Sequence, residues 1–556
     1  MGNILPWKSD AAARQAIVEA REKREKRFEE ARKRVENQDP ALREAILSLS
    51  LVELRDALQN DSYNAQTVLA AYAWKALQVQ ETHNCVCQFL IESFDEAEAA
   101  DKKFSHQDHK PPLYGLPFSV KENSFLKGYD SCIGLTKYLN KPVQTDCTMV
   151  THLRSLGAVP FVIANVPQTL LSFVCSNPVY GTTGNPKNVH RTPGGSSGGD
   201  ACLTALGGTS FGTGNDIAGS LRIPASMCGV VGLKPTQDRY VVHNVRGIPG
   251  HGRLALSFGF FTKRVEEQVL LWEHVFGSED YRKLVPECAP VPYRAHLYTE
   301  TTDKKSLRIG YFTNDGFLRP TPGCERVVQE TVDRLRAEGH ELVRFRVPTP
   351  DQAVSILFKC LFFDGGTFIR NLYSNEIVDP YMKESATLLK IPKTVRWLAS
   401  YALSSISPQA STAMGSYVQT VDDVRLAQEA CDEYVKEFTS LWHELQIDAL
   451  VCPAFAVPSV PHENGGKLTD CVFATGLYNL LDYPAGIVPV DCVTKEDDAH
   501  LMDEESWPTG NNFVLKFVRN AAANSEGLPL AVQVVTLPYE EEKCLGVMKI
   551  IENLWK

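Results

Sequence analysis

The stretch Pro193–Gly229 constrains the fold of this chain most, because it combines turn-forming residues with core-forming ones. It reads PGGSSGGDACLTALGGTSFGTGNDIAGSLRIPASMCG and contains ten glycines and five serines. Glycine permits close approach of the backbone and turns with positive φ, which suits an ordered site in which Ser196 and Ser220 act as nucleophilic or hydrogen-bonding hydroxyls. A flexible Gly/Ser linker would lack the apolar residues interspersed here. These are Leu203, Leu206, Phe211, Ile217, Leu221 and Ile223.

The composition of the 556 residues is that of an ordinary globular protein, with 44% hydrophobic and 22% charged residues. A net charge of −10 argues against nucleic-acid binding, which requires concentrated positive potential. The 15 cysteines follow no repeating spacing, and the Cys85/Cys87 pair near His83 lacks the second ligand pair of a zinc site. We therefore expect buried, reduced thiols in a cytosol-facing protein, with no metal and no cofactor.

The N-terminal residues 1–50 are predicted to form a charged helical arm ahead of a catalytic domain at 51–556. Residues 8–36 carry several acid–base pairs at i,i+4 spacing, each contributing a few tenths of a kcal/mol to a helix. This pattern favours a solvated arm over a helix that lies on a membrane surface. The chain shows no apolar signal-peptide core and no window of about 18 apolar residues, so we expect an intracellular protein without a spanning helix.

Strand-like and helix-like segments alternate along the rest of the chain. In Leu113–Gly128 a short apolar run carries Lys121, and a buried strand end is a costly place for a lysine that is neither neutral nor paired. The alternative is a lysine that reaches the surface along its own stem. His152–Gln168 reads as helix, Gly157 cap and buried strand, and similar units recur at 307–313 and 342–347. The alternation predicts an α/β fold with a large mixed sheet sandwiched by helices.

Residues 386–417 differ from the rest, since they are largely apolar, contain no acid and are interrupted by Pro392 and Pro408. Basic residues next to aromatic ones are typical of a helical hairpin lying in a membrane interface. The composition alone equally allows a buried helix pair. The residues concerned are Lys390, Lys393, Arg396, Trp397 and Tyr401.

Short catalytic patterns elsewhere carry little weight. Gly194–Gly198 matches G-x-S-x-G, but that elbow requires a strand directly before it, and residues 190–193 make a poor strand. Ser124–Lys127 matches S-x-x-K without the companion motifs of that family. No phosphate-binding loop and no zinc-protease motif occurs in the sequence.

The whole of Pro193–Gly229 resembles the amidase signature. The match runs through GGSSGG, Gly212-Thr-Gly214, Asp216, Ala218-Gly219-Ser220, Leu221-Arg222 and Pro224. Further blocks of the family are GLPFSVKE around Lys121, GAVPFVIANVPQ, CGVVGLKPT and GLPLAVQVV. The resemblance extends from about Leu51 to Lys556. Two departures are Ala218, where the signature more often has glycine, and GFFTKRV at 259–265, where relatives have GPMAR.

The resemblance implies a role for each matched position. Ser220 would be the nucleophile, Ser196 the bridging serine in a cis peptide linkage, and Lys121 the base. The backbone N–H groups of Ile217, Ala218, Gly219 and Ser220 would form the oxyanion hole, and Leu170 (carbonyl) and Ser172 (hydroxyl) would help to hold the substrate. Supporting positions are Ser197, Asp216 and Arg222.

The chemistry can also be argued from the residues. Amide cleavage requires a nucleophile, a base, oxyanion stabilisation and protonation of the amine. No histidine is tied to any motif, so a Ser–Lys system is the available machinery. A free lysine has a pKa near 10.4, and burial that lowers it to roughly 8 would make a usable base.

Within the family, three segments resemble members that hydrolyse fatty acid amides. The segments are 166–181, 361–366 and 477–490, and the 386–417 stretch agrees with them. The implied enzyme is a serine hydrolase of N-acylethanolamines and primary fatty acid amides that is bound peripherally to an endomembrane facing the cytosol. A homodimer is compatible with this prediction. The alternatives are a glutaminase subunit of an amidotransferase and a non-catalytic lipid-binding protein on the same fold.

Overall fold

The computed structural model describes residues 6–104, 107, 109–250, 252–254, 256–276 and 278–556. The strands are β1 Val86–Phe89, β2 Pro117–Lys121, β3 Val159–Ala164, β4 Ser176–Asn177, β5 Gly181–Thr182, β6 Phe211–Asp216, β7 Val231–Lys234, β8 Ser257–Thr262, β9 Arg308–Tyr311, β10 Glu341–Arg344, β11 Ala449–Pro453, β12 Ala485–Cys492 and β13 Pro529–Val535.

The helices are α1 Pro6–Val35, α2 Pro40–Ser48, α3 Leu51–Gln59, α4 Ala65–His83, α5 Glu92–Phe104, α6 Thr148–Ser155, α7 Gly198–Ala205, α8 Arg222–Cys228, α9 Val265–Phe276, α10 Glu279–Leu284, α11 Ala295–Asp303, α12 Pro322–Ala337, α13 Pro350–Leu361, α14 Thr367–Leu372, α15 Lys383–Leu388, α16 Lys393–Leu403, α17 Pro408–Gly415, α18 Val421–Glu444, α19 His462–Gly465, α20 Phe473–Leu480, α21 Lys495–Met502, α22 Phe513–Ala522 and α23 Glu541–Leu554.

One mixed sheet of eleven strands organises the described residues, in the order β1-β3-β2-β6-β8-β7-β12-β13-β11-β9-β10. Strand β2 runs parallel to both β3 and β6, whereas β8, β7, β12 and β13 pair antiparallel with their neighbours. Helices pack along the sheet, α7 against β6, α9 against β8, α12 against β13 and α23 against β12. The predicted mixed sheet with flanking helices is confirmed.

The parallel strands β2 and β6 explain how two distant motifs come together. Lys121 is the last residue of β2 and Asp216 is the last residue of β6. Since neighbouring parallel strands end at the same edge of a sheet, both residues lie at the carboxyl edge, where open α/β sheets bind ligands. The turn Ile217–Ser220 directly follows β6 and therefore lies at this edge, and the hydrogen bond from the Ser197 N–H to the Ser220 carbonyl holds the turn containing Ser196 next to it.

Helix α1 is packed against the protein body. Phe28, Ala31 and Val35 are buried, and the Phe28 ring meets the Phe89 ring of β1 edge to face at 5.3 Å. The Arg27 guanidinium donates a 2.7 Å hydrogen bond to Gln88 Oε1. The expectation of a solvated arm is therefore wrong, because this helix has an apolar stripe as well as its charge pairs. The division of the chain at residue 50 remains a prediction.

The segment 386–417 contains the helical hairpin α16–α17, as expected, but this is not a buried pair. No described side chain of α16 is buried, and Trp397, Leu398 and Tyr401 are 62%, 60% and 80% exposed. Val395, Leu388 and Ile406 are also exposed. We call these six residues the cap patch. Among the described residues, no helix has the length and apolarity needed to cross a membrane.

Candidate active site

At the carboxyl edge of the sheet, Lys121 contacts Ser196, the first serine of the glycine-rich stretch. Lys121 Nζ lies 2.8 Å from Ser196 Oγ, and both side chains are buried. The Gly195–Ser196 peptide bond is cis, as the resemblance implies. The lysine therefore does not reach the surface, which was the alternative open at the sequence level.

The second serine joins this pair through the backbone. The Ser197 N–H donates to the Ser220 carbonyl at 3.0 Å, which ties the turn containing Ser196 to the turn containing Ser220. Ser197 thus contributes its main chain, while its buried hydroxyl has no hydrogen-bond partner among the described residues. Ser220 itself is half-buried and lines a cavity.

Burial sets the electrostatics of Lys121. Loss of hydration disfavours the ammonium form and lowers the pKa of Lys121 to about 7, although nearby Asp200 and Asp216 oppose the shift. The direction agrees with the expectation from the sequence, and the value is about a unit lower. A lysine with this pKa is about half neutral at pH 7 and largely neutral above it, and the neutral amine can accept a proton.

Asp200 is a second buried titratable group near Lys121. Its Oδ1 accepts a 2.6 Å hydrogen bond from Ser119 Oγ, and its Oδ2 has no partner among the described residues. Burial raises the pKa of Asp200 to about 7, against the lowering effect of Ser119 and Lys121. Asp200 and Lys121 therefore titrate in the same range and influence each other.

The turn from Ile217 to Ser220 presents backbone donors to the cavity. Its N–H groups at Ile217, Ala218 and Ser220 make no hydrogen bond within the described part of the chain. Gly219 differs, because its N–H donates to Asp216 Oδ1 at 2.7 Å. The resemblance implied four free donors in this turn, and the structure leaves three.

Gly219 is required by both conformation and space. Its φ is +123°, and a Cβ added there would lie 2.1 Å from Thr475 Oγ1. The Thr475 hydroxyl in turn donates to the Ala218 carbonyl at 2.7 Å. Thr475 on α20 therefore fixes the turn from outside the glycine-rich stretch.

The ion pair between Asp216 and Arg222 supports the turn Ile217–Ser220 from the buried side. Both side chains are fully buried, and Arg222 donates to both oxygens of Asp216 at 3.0 Å. Burial alone would raise the pKa of Asp216, but the Arg222 charge and hydrogen bonds from Arg222 and Asn479 hold it well below its usual range. The remaining guanidinium bonds go to Gln533 Oε1 at 2.8 Å and Asn479 Oδ1 at 2.6 Å.

A cavity opens in front of Ser220, with about 630 Å³ of empty space when the open solvent at its mouth is included. Five of the predicted site residues line it, namely Leu170, Ser172, Ile217, Ala218 and Ser220. The other lining residues are Leu171, Phe173, Gly195, Ile223, Phe358, Leu361, Phe362, Ser385, Gly465, Gly466, Thr469 and Val472. No charged side chain is among these described lining residues, so the cavity suits an apolar ligand with few polar groups.

Leu170 and Ser172 lie on a constrained loop at the cavity wall. Thr169 and Leu170 both have positive φ, and the Thr169 hydroxyl is 3.1 Å from the Tyr373 hydroxyl. Ser172 Oγ accepts from the Val174 N–H at 3.0 Å, and the Ser172 carbonyl packs against Gly195 so closely that a Cβ at Gly195 would lie 2.1 Å from it. The loop is thereby held next to the cis peptide.

Sequence reasoning missed several polar residues of the site. Asn215, Asn123, Thr475 and Asn479 are buried and hydrogen-bonded to the predicted residues or to each other, and buried Asp200 accepts a hydrogen bond from Ser119. A signal existed for the first two, because Asn123 follows Lys121 by two positions and Asn215 directly precedes Asp216. The described residues contain no cluster of three or more His, Cys, Asp or Glu side chains placed to hold a metal ion.

Comparison with known proteins agrees with this geometry. A family model described as Amidase matches residues 67–545. The chain therefore belongs to the amidase family, and it is an amide-hydrolysing enzyme.

Individual relatives extend the comparison over almost the whole chain. Fatty acid amide hydrolase 1 of Caenorhabditis elegans is 35% identical over 531 residues, covering 95% of this chain and 92% of the relative. Fatty-acid amide hydrolase 1 of Sus scrofa is 34% identical over 557 residues, covering 99% and 94%. A solved structure of a fatty acid amide hydrolase superposes with a TM-score of 0.79 at 22% identity, covering 97% of this chain and 95% of that one, and so shares the fold.

Proposed function

We propose that this enzyme hydrolyses fatty acid amides, including N-acylethanolamines and primary fatty acid amides, through an acyl-enzyme on Ser220. The observation that carries the proposal is the contact between buried Lys121 and Ser196, located behind an apolar cavity that Ser220 lines. The two relatives named fatty acid amide hydrolase, each at least 34% identical over most of both chains, support the substrate class.

The proposed reaction begins with proton transfer along the Lys121–Ser196–Ser220 relay. The neutral amine of Lys121 takes a proton from Ser196 Oγ, and Ser196 takes one from Ser220 Oγ, whose oxygen attacks the amide carbon. The relay then runs in reverse and delivers a proton to the leaving nitrogen as the C–N bond breaks. Water attacks the acyl-enzyme in the second half, which releases the fatty acid and regenerates Ser220.

The oxyanion of each tetrahedral intermediate would be stabilised by the backbone donors of the turn. We assign this role to the N–H groups of Ile217, Ala218 and Ser220, because the Gly219 N–H is already bonded to Asp216. Each preorganised donor of this kind contributes about 3 kcal/mol to transition-state stabilisation. Asp216 and Arg222 would act as positioning residues that hold the turn.

The cavity also distinguishes the substrate classes. A glutaminase must recognise the charged α-amino and α-carboxylate groups of its substrate, and burying such charges requires partners. The residues lining this cavity supply hydroxyls and apolar surface without a charged side chain. An acyl chain packed against Phe358, Leu361 and Phe362 fits this lining better than glutamine does.

We further propose that the enzyme binds peripherally to an intracellular membrane through the cap patch. An exposed cluster of large apolar side chains on a monomeric surface is typical of an interaction site, and aromatic residues beside basic ones suit the membrane interface. The patch begins at Leu388, the last residue of α15, and Ser385 of the same helix lines the cavity. A lipid substrate could therefore pass from the membrane towards Ser220 without crossing much water.

The central test is covalent labelling by a fluorophosphonate, combined with turnover of a long-chain N-acylethanolamine and of glutamine. We expect the wild-type protein to be labelled and to prefer the lipid amide, and Ser220→Ala to lose both labelling and turnover. Ser226→Ala, a buried serine of the same stretch on α8, is the matched control and should still be labelled. Persistent labelling of Ser220→Ala would refute the nucleophile, and faster glutamine turnover would refute the substrate class.

A further inference from the structure

Asn215 connects the base of the site to a second asparagine. Its Oδ1 lies 2.6 Å from Lys121 Nζ and its backbone carbonyl oxygen lies 3.5 Å from the same atom. Its Nδ2 donates to Asn123 Oδ1 at 2.8 Å, and Asn123 Nδ2 donates to the Arg246 carbonyl at 2.7 Å. Asn215 and Asn123 are both buried, so water does not compete for these bonds.

The chain of hydrogen bonds has only one self-consistent direction. The Arg246 carbonyl can only accept, so Asn123 must turn its Nδ2 towards it and its Oδ1 towards Asn215. Asn215 must then present Nδ2 to Asn123 and Oδ1 to Lys121. The backbone at Arg246 thereby determines which atom of Asn215 faces the base.

This direction has a consequence for the lysine amine. A neutral amine has two N–H donors and one lone pair, whereas its neighbours here are two oxygens of Asn215 and the Ser196 hydroxyl. The Asn215 oxygens can only accept, so they take the two N–H groups. The lone pair is left to face Ser196 Oγ, which is the direction from which the proton must come.

We propose that Asn215 is a positioning residue of the catalytic relay, which orients the Lys121 lone pair towards Ser196 and supplies acceptors without adding a negative charge. This inference rests on the proposed function of the Lys121–Ser196–Ser220 relay and deepens it. Proton transfer requires the base to be within hydrogen-bond reach and correctly aimed, and small misplacements are costly.

The charge of residue 215 matters because the pKa of Lys121 is set by two opposing effects, burial and the nearby acidic groups. The titratable groups that face Lys121 are Asp200 on α7, Asp216 on β6 and the thiol of Cys175 in the loop after β3. Burial lowers the pKa of Lys121 to about 7 against the opposing effect of these groups. A further carboxylate at position 215 would tilt this balance towards the ammonium form, whereas an amide does not.

The test measures the rate of fluorophosphonate inactivation against pH for the wild type, Asn215→Asp and Asn215→Leu, with kcat/KM for a lipid amide alongside. On the acid side of the pH profile the rate falls as Lys121 becomes protonated, and we call this part of the curve the acid limb. In Asn215→Asp, a carboxylate next to Nζ favours the ammonium, so the acid limb should move to higher pH by about one unit or more. In Asn215→Leu, the ammonium loses an acceptor, so the limb should move down, and the plateau rate should fall about 10- to 100-fold because the amine is no longer aimed. KM should change little in both variants.

Asn185→Leu is the matched control, since Asn185 is an equally buried asparagine that bonds the carbonyls of Thr192 and Met227 and does not contact Lys121. It should lower the melting temperature without moving the acid limb. Limbs that stay at the wild-type pH in both Asn215 variants would overturn the inference. If Asn215→Leu does not fold, the upward shift in Asn215→Asp decides alone.

The same measurements separate this inference from the proposed function. A wild-type protein that reacts with the probe but hydrolyses no lipid amide would refute the substrate class, while the inactivation profiles would still test Asn215. Normal lipid amide turnover with unmoved limbs would overturn the role of Asn215 alone. Opposite shifts in the two variants support it in either case, because a residue that only fills space would not produce them.

Discussion

The Arg222 guanidinium and the Asp216 carboxylate form an ion pair closed to solvent, with Arg222 Nη2 3.0 Å from Asp216 Oδ1. The carboxylate also accepts from the backbone N–H groups of Gly219, Leu221 and Arg222. The pair therefore holds the two sides of the Ser220 turn in a fixed relation. A buried pair of this kind depends on each partner, because removing one leaves an uncompensated charge.

Replacing Arg222 should accordingly destabilise the protein. We expect Arg222→Met to lower the free energy of unfolding by about 3–5 kcal/mol, since Asp216 is left buried without its counter-charge. The measurement is the shift in the midpoint of chemical or thermal unfolding. The control is Arg425→Met on α18, where the pair with Asp422 is exposed and its loss should not move the midpoint. A midpoint unchanged in Arg222→Met would contradict the structural role of the pair.

Gly219 offers a test of the turn geometry. In Gly219→Ala the new Cβ would meet Thr475 at 2.1 Å in a backbone conformation with φ of +123°, so the turn must distort. We expect kcat/KM to fall about 100-fold or more, the scale of losing an oxyanion donor. Gly247→Ala is the control, because a Cβ there meets nothing within 4 Å. Equal activity of the two variants would show that the turn is not geometrically tight.

The parts of the site that follow a local pattern could be predicted from the sequence. Lys121, Ser196 and Ser220 are predictable because each lies in a motif whose residue types and spacing are readable along the chain, and the alternating elements indicate a sheet that joins them. The cis linkage and the support by Arg222 and Asp216 came from the same resemblance. The roles of these residues in catalysis remain predictions.

The rest depends on contacts between segments distant in sequence. Asn215 is connected to the base only because β6 lies next to β2, and Thr475 reaches the turn from α20, more than 250 positions along the chain. The Gly219 N–H is bonded to the Asp216 carboxylate, and this bond depends on the rotamer of Asp216, which the sequence does not specify. The charge pairs of α1 and the apolar composition of α16 do not show that α1 packs against the protein body whereas α16 leaves its apolar side chains exposed.

The pH dependence of activity follows from the state of Lys121. Burial lowers the pKa of Lys121 to about 7, and only the neutral amine can accept a proton from Ser196. The rate constant kcat/KM should therefore fall about tenfold per pH unit below about 7 and approach a plateau above it. Lys121→Arg should be inactive throughout, because a guanidinium stays protonated at every accessible pH.

Asp200 should change the position of that acid limb. Its pKa is raised to about 7 by burial, and its negative charge opposes the lowering of the pKa of Lys121. Asp200→Asn removes this charge while keeping an acceptor for Ser119, so the limb of kcat/KM should move to lower pH. A limb that stays in place would mean that Asp200 is already protonated when the enzyme is active, and a limb that moves up would contradict the effect of its charge on Lys121.

The cap patch leads to a prediction about membrane binding. Trp397 and Leu398 are 62% and 60% exposed, and burying such side chains in a bilayer interface contributes about 25 cal/mol per Å² of apolar surface. We expect Trp397→Asp and Leu398→Asp to reduce co-sedimentation with liposomes severalfold, with little effect on turnover of a soluble short-chain amide. Met502→Asp is the control, since Met502 is 53% exposed on α21, outside the patch. If the patch variants and the Met502 control sediment alike, the apolar face of α16 has some function other than membrane binding.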